Sequence, residues 1–531
     1  MRQRLGRNFP VIAIVFIFIV LILPNRLSLM VPSAFISVPI EGLILGFILL
    51  IPKKLGMFLR GLAALCLTVG VVLKLADIGT YQFFDRAFNP VVDSHFWGDG
   101  LNFLQGALGQ LGSLIVIVLL LGLVVGLILL LTSLLKTVQI TLQKAFKKSI
   151  VSLSLGLGVW FILLLTGSAI PTRPFYQSIH QHINQTLTDL EDLAVFNQQV
   201  STDPYATVPD EQLLSKLKGK DVFVVFIESY GRTVLDKKSY ADHVRPVLEQ
   251  ANQQLTQQGF LTQSAYITSP TYGGISWLAH GTLMSGLWVN SQTRYDRLVA
   301  SHRPSLNRLF KRAGWRTVTV QPAHTMAWPQ GEYFGYDQIY AAQDLGYQGK
   351  PFNWITMPDQ YTLSAFHTRE LTSAPRAPVM AEIALISSHA PWTPLPHLID
   401  WKQVGDGKVF IDQANAGDSP ETVWKDTERI RAQYRLSIEY ALANLASYIA
   451  TYGNDNWVVL MLGDHQPVPF VTEESESREV IAHIITKDSK VFEAIKDWQW
   501  ADGMIPASNN PIIGMDKLRE QFITSFSSSK R

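Results

Sequence analysis

The first third of the chain is almost continuously apolar, and this feature limits the possible fold more than any other. A helix that crosses a bilayer needs roughly 20 apolar residues to span about 30 Å of hydrocarbon. Segments of about that length occur at residues 9–23, 31–51, 57–75, 111–135 and 150–170. We therefore predict a five-helix transmembrane region over residues 1–170, with one re-entrant segment as the alternative.

Charged residues between these segments predict the orientation of the chain. Basic residues occur on alternate connections, at Arg2, Arg4 and Arg7, at Lys53, Lys54 and Arg60, and at Lys136, Lys144, Lys147 and Lys148. The positive-inside rule places these connections in the cytoplasm, whereas the connection with Asp77, Asp85 and Asp93 is acidic. We expect a multi-pass protein of an inner or cytoplasmic membrane with a cytoplasmic N-terminus. An odd number of spans then places the chain after residue 170 on the outer side, periplasmic or extracellular.

Composition excludes several classes of protein. The formal net charge is only +2 in 531 residues, so nothing indicates nucleic acid as a partner. Cys66 is the single cysteine and lies in an apolar segment. The part of the chain after the membrane region therefore has no disulfide framework, no zinc–thiolate site and no catalytic cysteine.

The remaining chain predicts linker helices at residues 171–220 and a catalytic domain at residues 221–531. Apolar runs rich in β-branched residues predict buried strands at residues 222–227, 315–320, 379–386 and 457–462. Helical periodicity covers residues 244–257, with Pro246 in a first turn, and residues 427–452. This alternation predicts an α/β domain with a mostly parallel sheet and helices on both faces.

Ionisable side chains follow three of the predicted strands. Glu228 follows the first, His389 the third, and Asp464 and His465 the fourth. Ligands of open α/β sheets bind at the carboxyl ends of the strands, so we expect these groups to share one edge. Each alone has an ordinary structural explanation, as a turn residue or a loop histidine. Together, carboxylates and imidazole suit one Mn²⁺ or Zn²⁺ ion.

A hydroxyl nucleophile is expected near these groups. Ser276 follows Gly273 and Gly274 and opens a helix-like stretch, where free backbone amides favour an anion. A metal ion there would activate the hydroxyl for attack on a phosphoryl group. Ser276 could also be only a helix cap. The rival hydroxyls are Thr271, Thr282 and Ser269.

These residues together resemble the alkaline phosphatase and sulfatase superfamily over residues 221–487. With the membrane segments, the chain is similar to the lipoteichoic acid synthase and phosphoethanolamine transferase group. The resemblance implies an alkaline-phosphatase-like domain and a sulfatase-like enzyme that acts on phosphoesters. It implies a metal site of Glu228, Ser276, Asp464 and His465, catalysis by Ser276 and His389, and substrate binding by His389, His324, Trp328 and His280.

The resemblance also implies the reaction. A headgroup of phosphoglycerol or phosphoethanolamine type would move from a membrane phospholipid, through a covalent serine intermediate, to a glycan or lipid acceptor. The alternatives are an anchored phosphodiesterase or phosphatase, and a non-catalytic lipid sensor of the envelope. True sulfatases carry Cys-x-Pro-x-Arg (sometimes with serine first), but here Leu278 and His280 follow Ser276 at the proline and arginine positions. Sulfate ester hydrolysis is therefore not expected.

Overall fold

The computed structural model describes residues 2–84, 86–90, 93, 96–326 and 328–528. The chain divides into two compact units, one of Met1–Gln82 with Arg86–Asp192 and one of Phe83–Asp85 with Leu193–Arg531. Asp85, which we predicted in an acidic outer connection, lies outside the described residues.

The N-terminal part of the chain is helical apart from one short strand pair. Its helices are α1 (Arg2–Ile22), α2 (Ile40–Leu49), α3 (Lys53–Phe84), α4 (Phe96–Lys144), α5 (Phe146–Leu165) and α6 (Pro174–Val200). The backbone of α4 departs from helical geometry at Gly109. The strands β1 (Val38–Pro39) and β2 (Pro171–Thr172) pair in parallel.

Within the described residues, three helical stretches rather than five are long and apolar enough to cross a membrane. They are Lys53–Phe84, Leu108–Lys144 and Phe146–Leu165. The prediction of five spans is wrong in this respect, because the apolar stretch Phe9–Ile22 of α1 and the helix α2 (Ile40–Leu49) are shorter. Residues Pro32–Ile36 form a 3₁₀ turn before β1, so α2 has only 10 residues and a length of about 15 Å. The three long helices indicate a membrane anchor.

Asp77 belongs to a helix and not to the acidic connection that we predicted. It lies in α3 and is fully buried. Its carboxylate accepts hydrogen bonds from Asn25 Nδ2 at 2.8 Å and from the backbone amide of Phe88 at 2.9 Å, and it lies 3.0 Å from His182 Nε2. A buried carboxylate needs such partners because burial without them is costly.

The C-terminal unit is built on a nine-stranded mixed sheet. The strands are β3 (Asp221–Ile227), β4 (Leu261–Thr268), β5 (Arg316–Gln321), β6 (Gln338–Ala341), β7 (Val379–Leu385), β8 (Trp457–Gly463), β9 (Glu479–Thr486), β10 (Ala501–Asp502) and β11 (Ile513–Gly514). Their order is β10-β4-β9-β8-β3-β7-β5-β6, and β11 also pairs with β4.

The sheet is parallel in one half and largely antiparallel in the other. Strands β8, β3, β7, β5 and β6 are parallel to their neighbours, and all of these except β6 are strands that we predicted. In contrast, β9 is antiparallel to both β8 and β4, and β10 is antiparallel to β4. The description of the sheet as mostly parallel is therefore corrected to a mixed sheet.

Helices of this unit cover the sheet. They are α7 (Thr233–Asp236), α8 (Lys238–Gln257), α9 (Ser276–Ser285), α10 (Gln292–Val299), α11 (Leu306–Arg312), α12 (Gly331–Phe334), α13 (Ala342–Leu345), α14 (Asp359–Phe366), α15 (Ile411–Asn415), α16 (Pro420–Val423), α17 (Thr427–Tyr452), α18 (Ser489–Ala494) and α19 (Met515–Phe526). Two buried apolar clusters pack on the sheet, and alternate residues of β3, such as Phe223 and Val224, belong to different clusters.

The main predicted elements agree with this structure within a residue or two, except at one helix start. The helix predicted at residues 427–452 is α17. The helix predicted from residue 244 begins earlier, at Lys238, so Pro246 lies inside α8 and not in its first turn.

Candidate functional site

The register of three neighbouring strands brings distant parts of the chain to one edge of the sheet. Ile227 at the end of β3 pairs with Leu385 of β7 and with Gly463 of β8. The residues that follow these three positions therefore leave the sheet side by side. They include Glu228 and Asp464.

The predicted metal ligands Glu228, Asp464 and His465 come together there. One possible ligand atom from each lies within 4.8 Å of the other two. His465 Nε2 is 3.2 Å from Glu228 Oε1 and 3.8 Å from Asp464 Oδ2. All three residues are buried.

Hydrogen bonds fix which atom of each side chain can serve as a ligand. His465 Nδ1 lies 2.7 Å from the Gln466 carbonyl, which makes Nδ1 the donor and leaves Nε2 for a metal ion. Asp464 Oδ1 accepts from the backbone amides of Ser229 at 2.8 Å and His465 at 2.7 Å. Its Oδ2 is thereby the free ligand atom. Such bonds orient a ligand before any ion binds.

The pKa values reflect a buried concentration of negative charge. Burial lowers the pKa of His465, but the carboxylates of Asp464 and Glu228 outweigh it and raise that pKa to about 9. Burial and the charge of Glu228 raise the pKa of Asp464 to about 6. Burial also opposes ionisation of Glu228, but His389 and His465 outweigh it and hold the pKa of that carboxyl well below its usual range.

Ser276 is placed against this group by an unusual turn. It is the first residue of α9, and Ile275 before it has a left-handed backbone with φ 63°. Ser276 Oγ donates to Glu228 Oε2 at 3.0 Å and lies 3.2 Å from His465 Nε2. The next side chain, Trp277, is 40% exposed and donates from Nε1 to Gln292 at 2.8 Å.

The rival hydroxyls have other partners. Thr271 Oγ1 donates to the Gly274 carbonyl at 2.6 Å, within the turn before α9. Ser269 Oγ donates to the backbone carbonyl of Asp464 at 2.5 Å, and Thr282 is fully buried. Among these candidates, Ser276 is the hydroxyl bonded to a predicted metal ligand side chain.

His389 lies in the loop after β7 and influences the same site. Its Nδ1 donates to the Ala390 carbonyl at 2.6 Å, which leaves Nε2 available. Its ring stacks on Trp354 with centroids 4.1 Å apart, and Trp354 is 54% exposed. Burial raises the pKa of Glu228, and His389 is the first of the groups that lower it.

The remaining predicted substrate residues form a second group. His324 stacks on Trp328 with ring centroids 4.8 Å apart. Burial lowers the pKa of His324, and the neighbouring His280 lowers it further. His280 Nδ1 lies 2.7 Å from Glu382 Oε1, and its ring stacks on Phe226 at 3.8 Å. His280 therefore links this group to β3 and β7.

A comparison with known families decides the class of the protein. The family model for sulfatases matches residues 220–503, which is more than half of the chain. The chain belongs to the sulfatase family. This confirms the superfamily that the sequence indicated, and with it the prediction of a sulfatase-like enzyme.

Solved structures similar to this sulfatase-family protein include three from bacteria. The lipoteichoic acid synthase LtaP from Listeria monocytogenes is 17% identical with a TM-score of 0.39, covering 63% of this chain and 78% of its own. The periplasmic domain of phosphoethanolamine transferase EptC from Campylobacter jejuni is 12% identical with a TM-score of 0.38, covering 58% and 89%. The phosphoglycerol transferase GacH from Streptococcus pyogenes, in complex with sn-glycerol-1-phosphate, is 13% identical with a TM-score of 0.38, covering 63% and 82%. Among curated proteins, no sequence matches this sulfatase-family chain significantly.

Several residues of the site in this sulfatase-family protein were missed by the sequence analysis. Ser229 donates from Oγ to Glu228 Oε1 at 3.1 Å and has φ 58°. Trp354 supports His389, and Glu382 supports His280. Glu382 carried a usable signal, because it is an acidic residue inside the otherwise apolar run of β7. Ser229 and Trp354 carried none.

Proposed function

We propose that this protein is a membrane-anchored, metal-dependent transferase of phospholipid headgroups, of phosphoglycerol or phosphoethanolamine type. One observation carries the proposal: the Ser276 hydroxyl lies 3.0 Å from Glu228 and 3.2 Å from His465, in a group that can hold a divalent cation. A hydroxyl so placed suits covalent catalysis on a phosphodiester.

The donor set fits one Mn²⁺ or Zn²⁺ ion. Two buried carboxylates beside an imidazole Nε2 need a compensating positive charge, and oxygen with imidazole nitrogen suits both metals. Glu228, Asp464 and His465 would hold the ion, with Ser276 as a further ligand. When bound, the ion supplies positive charge that favours the ionised Ser276 hydroxyl and stabilises charge on the phosphoryl group.

The proposed reaction uses two residues. Ser276 Oγ attacks the phosphorus of the lipid headgroup, and the bond from phosphorus to the glycerol oxygen of diacylglycerol breaks. His389 donates a proton to that oxygen, and solvent takes the proton lost by Ser276. In the second step a hydroxyl of a glycan or lipid acceptor attacks the phosphoserine and releases Ser276.

The membrane anchor supports a lipid as the donor. Tethering raises the effective concentration of the site at the membrane surface. We propose that residues 1–170 are the anchor and residues 171–220 the linker, with a cytoplasmic N-terminus and residues 221–531 on the outer side. An odd number of spans, three as well as five, is consistent with this arrangement. We further propose that His280, His324 and Trp328 bind the substrate.

Intact-mass analysis of the detergent-purified full chain, incubated with Mn²⁺ and mixed phospholipids, tests the proposal. The parent protein should gain a mass equal to one phosphorylated headgroup, which also identifies the donor. The adduct should be absent from Ser276→Ala and present in Thr271→Ala, because Thr271 is occupied within the turn.

Each other result has a defined meaning. An adduct that survives in Ser276→Ala would show a different nucleophile. Bound metal without an adduct, together with release of the headgroup into water, would show an anchored hydrolase. If the protein bound no metal and formed no adduct, the assignment as an enzyme would be overturned and the lipid sensor would be favoured.

A further inference from the structure

Glu382 is a buried carboxylate that the proposed reaction does not use. It lies in the middle of β7, and its side chain is 1% exposed. Oε1 is 2.7 Å from His280 Nδ1, and Oε2 accepts from the Tyr336 hydroxyl and, at 3.4 Å, from Asn307 Nδ2. Both oxygens are therefore fully engaged.

His280 is the ring partner of this carboxylate. Within the described part of the chain, no lysine or arginine pairs with Glu382. A carboxylate oxygen can only accept, so His280 Nδ1 donates to Glu382 Oε1. The other ring nitrogen, Nε2, has no hydrogen-bond partner among the described residues, and the side chain is 12% exposed.

His280 and the proposed nucleophile Ser276 belong to the same helix. His280 is four residues after Ser276 in α9, so the two side chains lie on the same face of the helix. Its ring stacks on Phe226, two residues before Glu228. His280 thus lies on the same helix face as the proposed nucleophile and packs on the strand that leads to Glu228.

We propose that Glu382 is a positioning residue that holds His280, protonated on both ring nitrogens when substrate is bound, so that Nε2–H donates a hydrogen bond to a phosphoryl oxygen of the substrate. This inference rests on the proposed function and adds the group that His280 recognises, which is the phosphate and not the alcohol or amine of the headgroup. A charged donor already held in place stabilises a phosphoryl group without reorganisation during the reaction. Tyr336 and Asn307 complete the support by fixing the second oxygen of Glu382.

Glu382→Gln tests the inference with a matched control. Glu370 is also buried and also accepts from a tyrosine hydroxyl (Tyr340) and a cationic side chain (Arg316). However, Arg316 begins β5, so this pair lies at the opposite end of the parallel strands from Glu228. Glu370→Gln, like Glu382→Gln, removes one buried charge. An effect of lost stability alone would therefore appear in both variants.

The expected result is a fall in kcat of about 10- to 100-fold in Glu382→Gln, with Mn²⁺ retained, using bis(p-nitrophenyl) phosphate as substrate. Glu370→Gln should keep the kcat of the parent. Imidazole added to His280→Gly should restore part of the lost rate. Equal kcat in Glu382→Gln and the parent would overturn the inference.

A binding measurement separates this inference from the proposed function. Inorganic phosphate titrated into Mn²⁺-loaded Ser276→Ala protein should bind about 10-fold more weakly when Glu382→Gln is added. The weaker phosphate binding is expected even if the parent forms no serine adduct. Absence of the adduct would count against the transferase reaction and not against the role of Glu382. Unchanged phosphate affinity in the double variant would contradict the role of His280 and Glu382.

Discussion

His483 is a buried histidine of β9 whose two ring nitrogens both have partners. Ser264 donates its hydroxyl proton to the Gly503 carbonyl at 2.5 Å, so His483 Nδ1, 2.6 Å away, must donate to Ser264 Oγ. The Tyr230 hydroxyl lies 3.1 Å from Nε2 and donates to it. The imidazole is thus satisfied in its neutral form, and burial lowers its pKa to about 3.

Because His483 is neutral in the folded protein, we predict that the folded state loses stability in acid. Below pH about 6.5 the unfolded chain binds a proton at His483 that the folded protein does not bind until pH about 3. Each pH unit in this interval therefore costs about 1.4 kcal/mol of folding free energy. The melting temperature of His483→Gln should fall less steeply between pH 6.5 and 4.5 than that of the parent, although its value at pH 8 is lower.

The exposed histidine His243 in α8 provides the control, because its side chain is exposed to solvent in the folded protein as in the unfolded chain. His243→Gln should keep the pH dependence of the parent. An equal slope for His483→Gln and the parent would contradict a neutral buried imidazole.

Single residues show what the sequence could and could not predict. Glu228, Asp464 and His465 were recognisable because each follows an apolar run whose length and composition indicate a buried strand. The contact between His280 and Glu382 joins residues 102 positions apart and depends on how α9 lies on β7. No local pattern contains that information.

At the scale of elements, the end of β8 is packed against the backbone after β3. A Cβ atom on Gly463 would lie 2.1 Å from the Tyr230 carbonyl oxygen, so only glycine fits there. The residue that follows is Asp464, whose position depends on this close approach. The packing of the two strand ends therefore supports the proposed metal site.

Gly463→Ala should damage both folding and metal binding. The added methyl group must displace the Tyr230 backbone, at a cost of about 1–3 kcal/mol or more. The shift would separate Asp464 from Glu228, so we expect less Mn²⁺ per protein by elemental analysis. Gly158→Ala, in α5, is the control, because a Cβ atom there has nothing within 4 Å. Full metal content in Gly463→Ala would show that the close approach does not matter.

The elements also show where pattern reasoning ends. Four of the parallel strands have apolar runs that identify them, whereas the short, partly buried strand β6 was not predicted. The antiparallel pair β4 and β9 joins Ser264 to His483, 219 residues away, and β4 alternates in burial at its start. Apolar content alone also overstated the number of spans, because Pro32 and Pro39 delay the start of α2 to Ile40.

At the scale of the whole molecule, the site links segments that are distant in the chain. Glu228 and His465 lie far apart in the sequence and meet only in the folded C-terminal unit. A bound cation would therefore stabilise the folded chain over the unfolded one. At a metal concentration 100 times the dissociation constant, this stabilisation is about 2.7 kcal/mol.

Removal of metal should therefore lower the melting temperature by several degrees. We expect that drop when EDTA is added to the parent protein, and its reversal with excess Mn²⁺. Glu228→Gln should show no such difference, whereas Glu370→Gln should keep it because Glu370 lies away from the site. If the melting temperature of the parent did not change with EDTA, the result would argue against a bound cation.

Trp277 gives the protein a spectroscopic reporter beside its proposed nucleophile. The indole follows Ser276 directly, is partly open to solvent and is held by Gln292. A phosphoryl group on Ser276 would bring negative charge next to that ring, which changes the shielding of its nuclei. With fluorinated tryptophan incorporated, one ¹⁹F resonance among those of 13 indoles would then follow the covalent state of the enzyme during turnover. Loading and unloading of the serine could thus be timed in a membrane, without a labelled lipid.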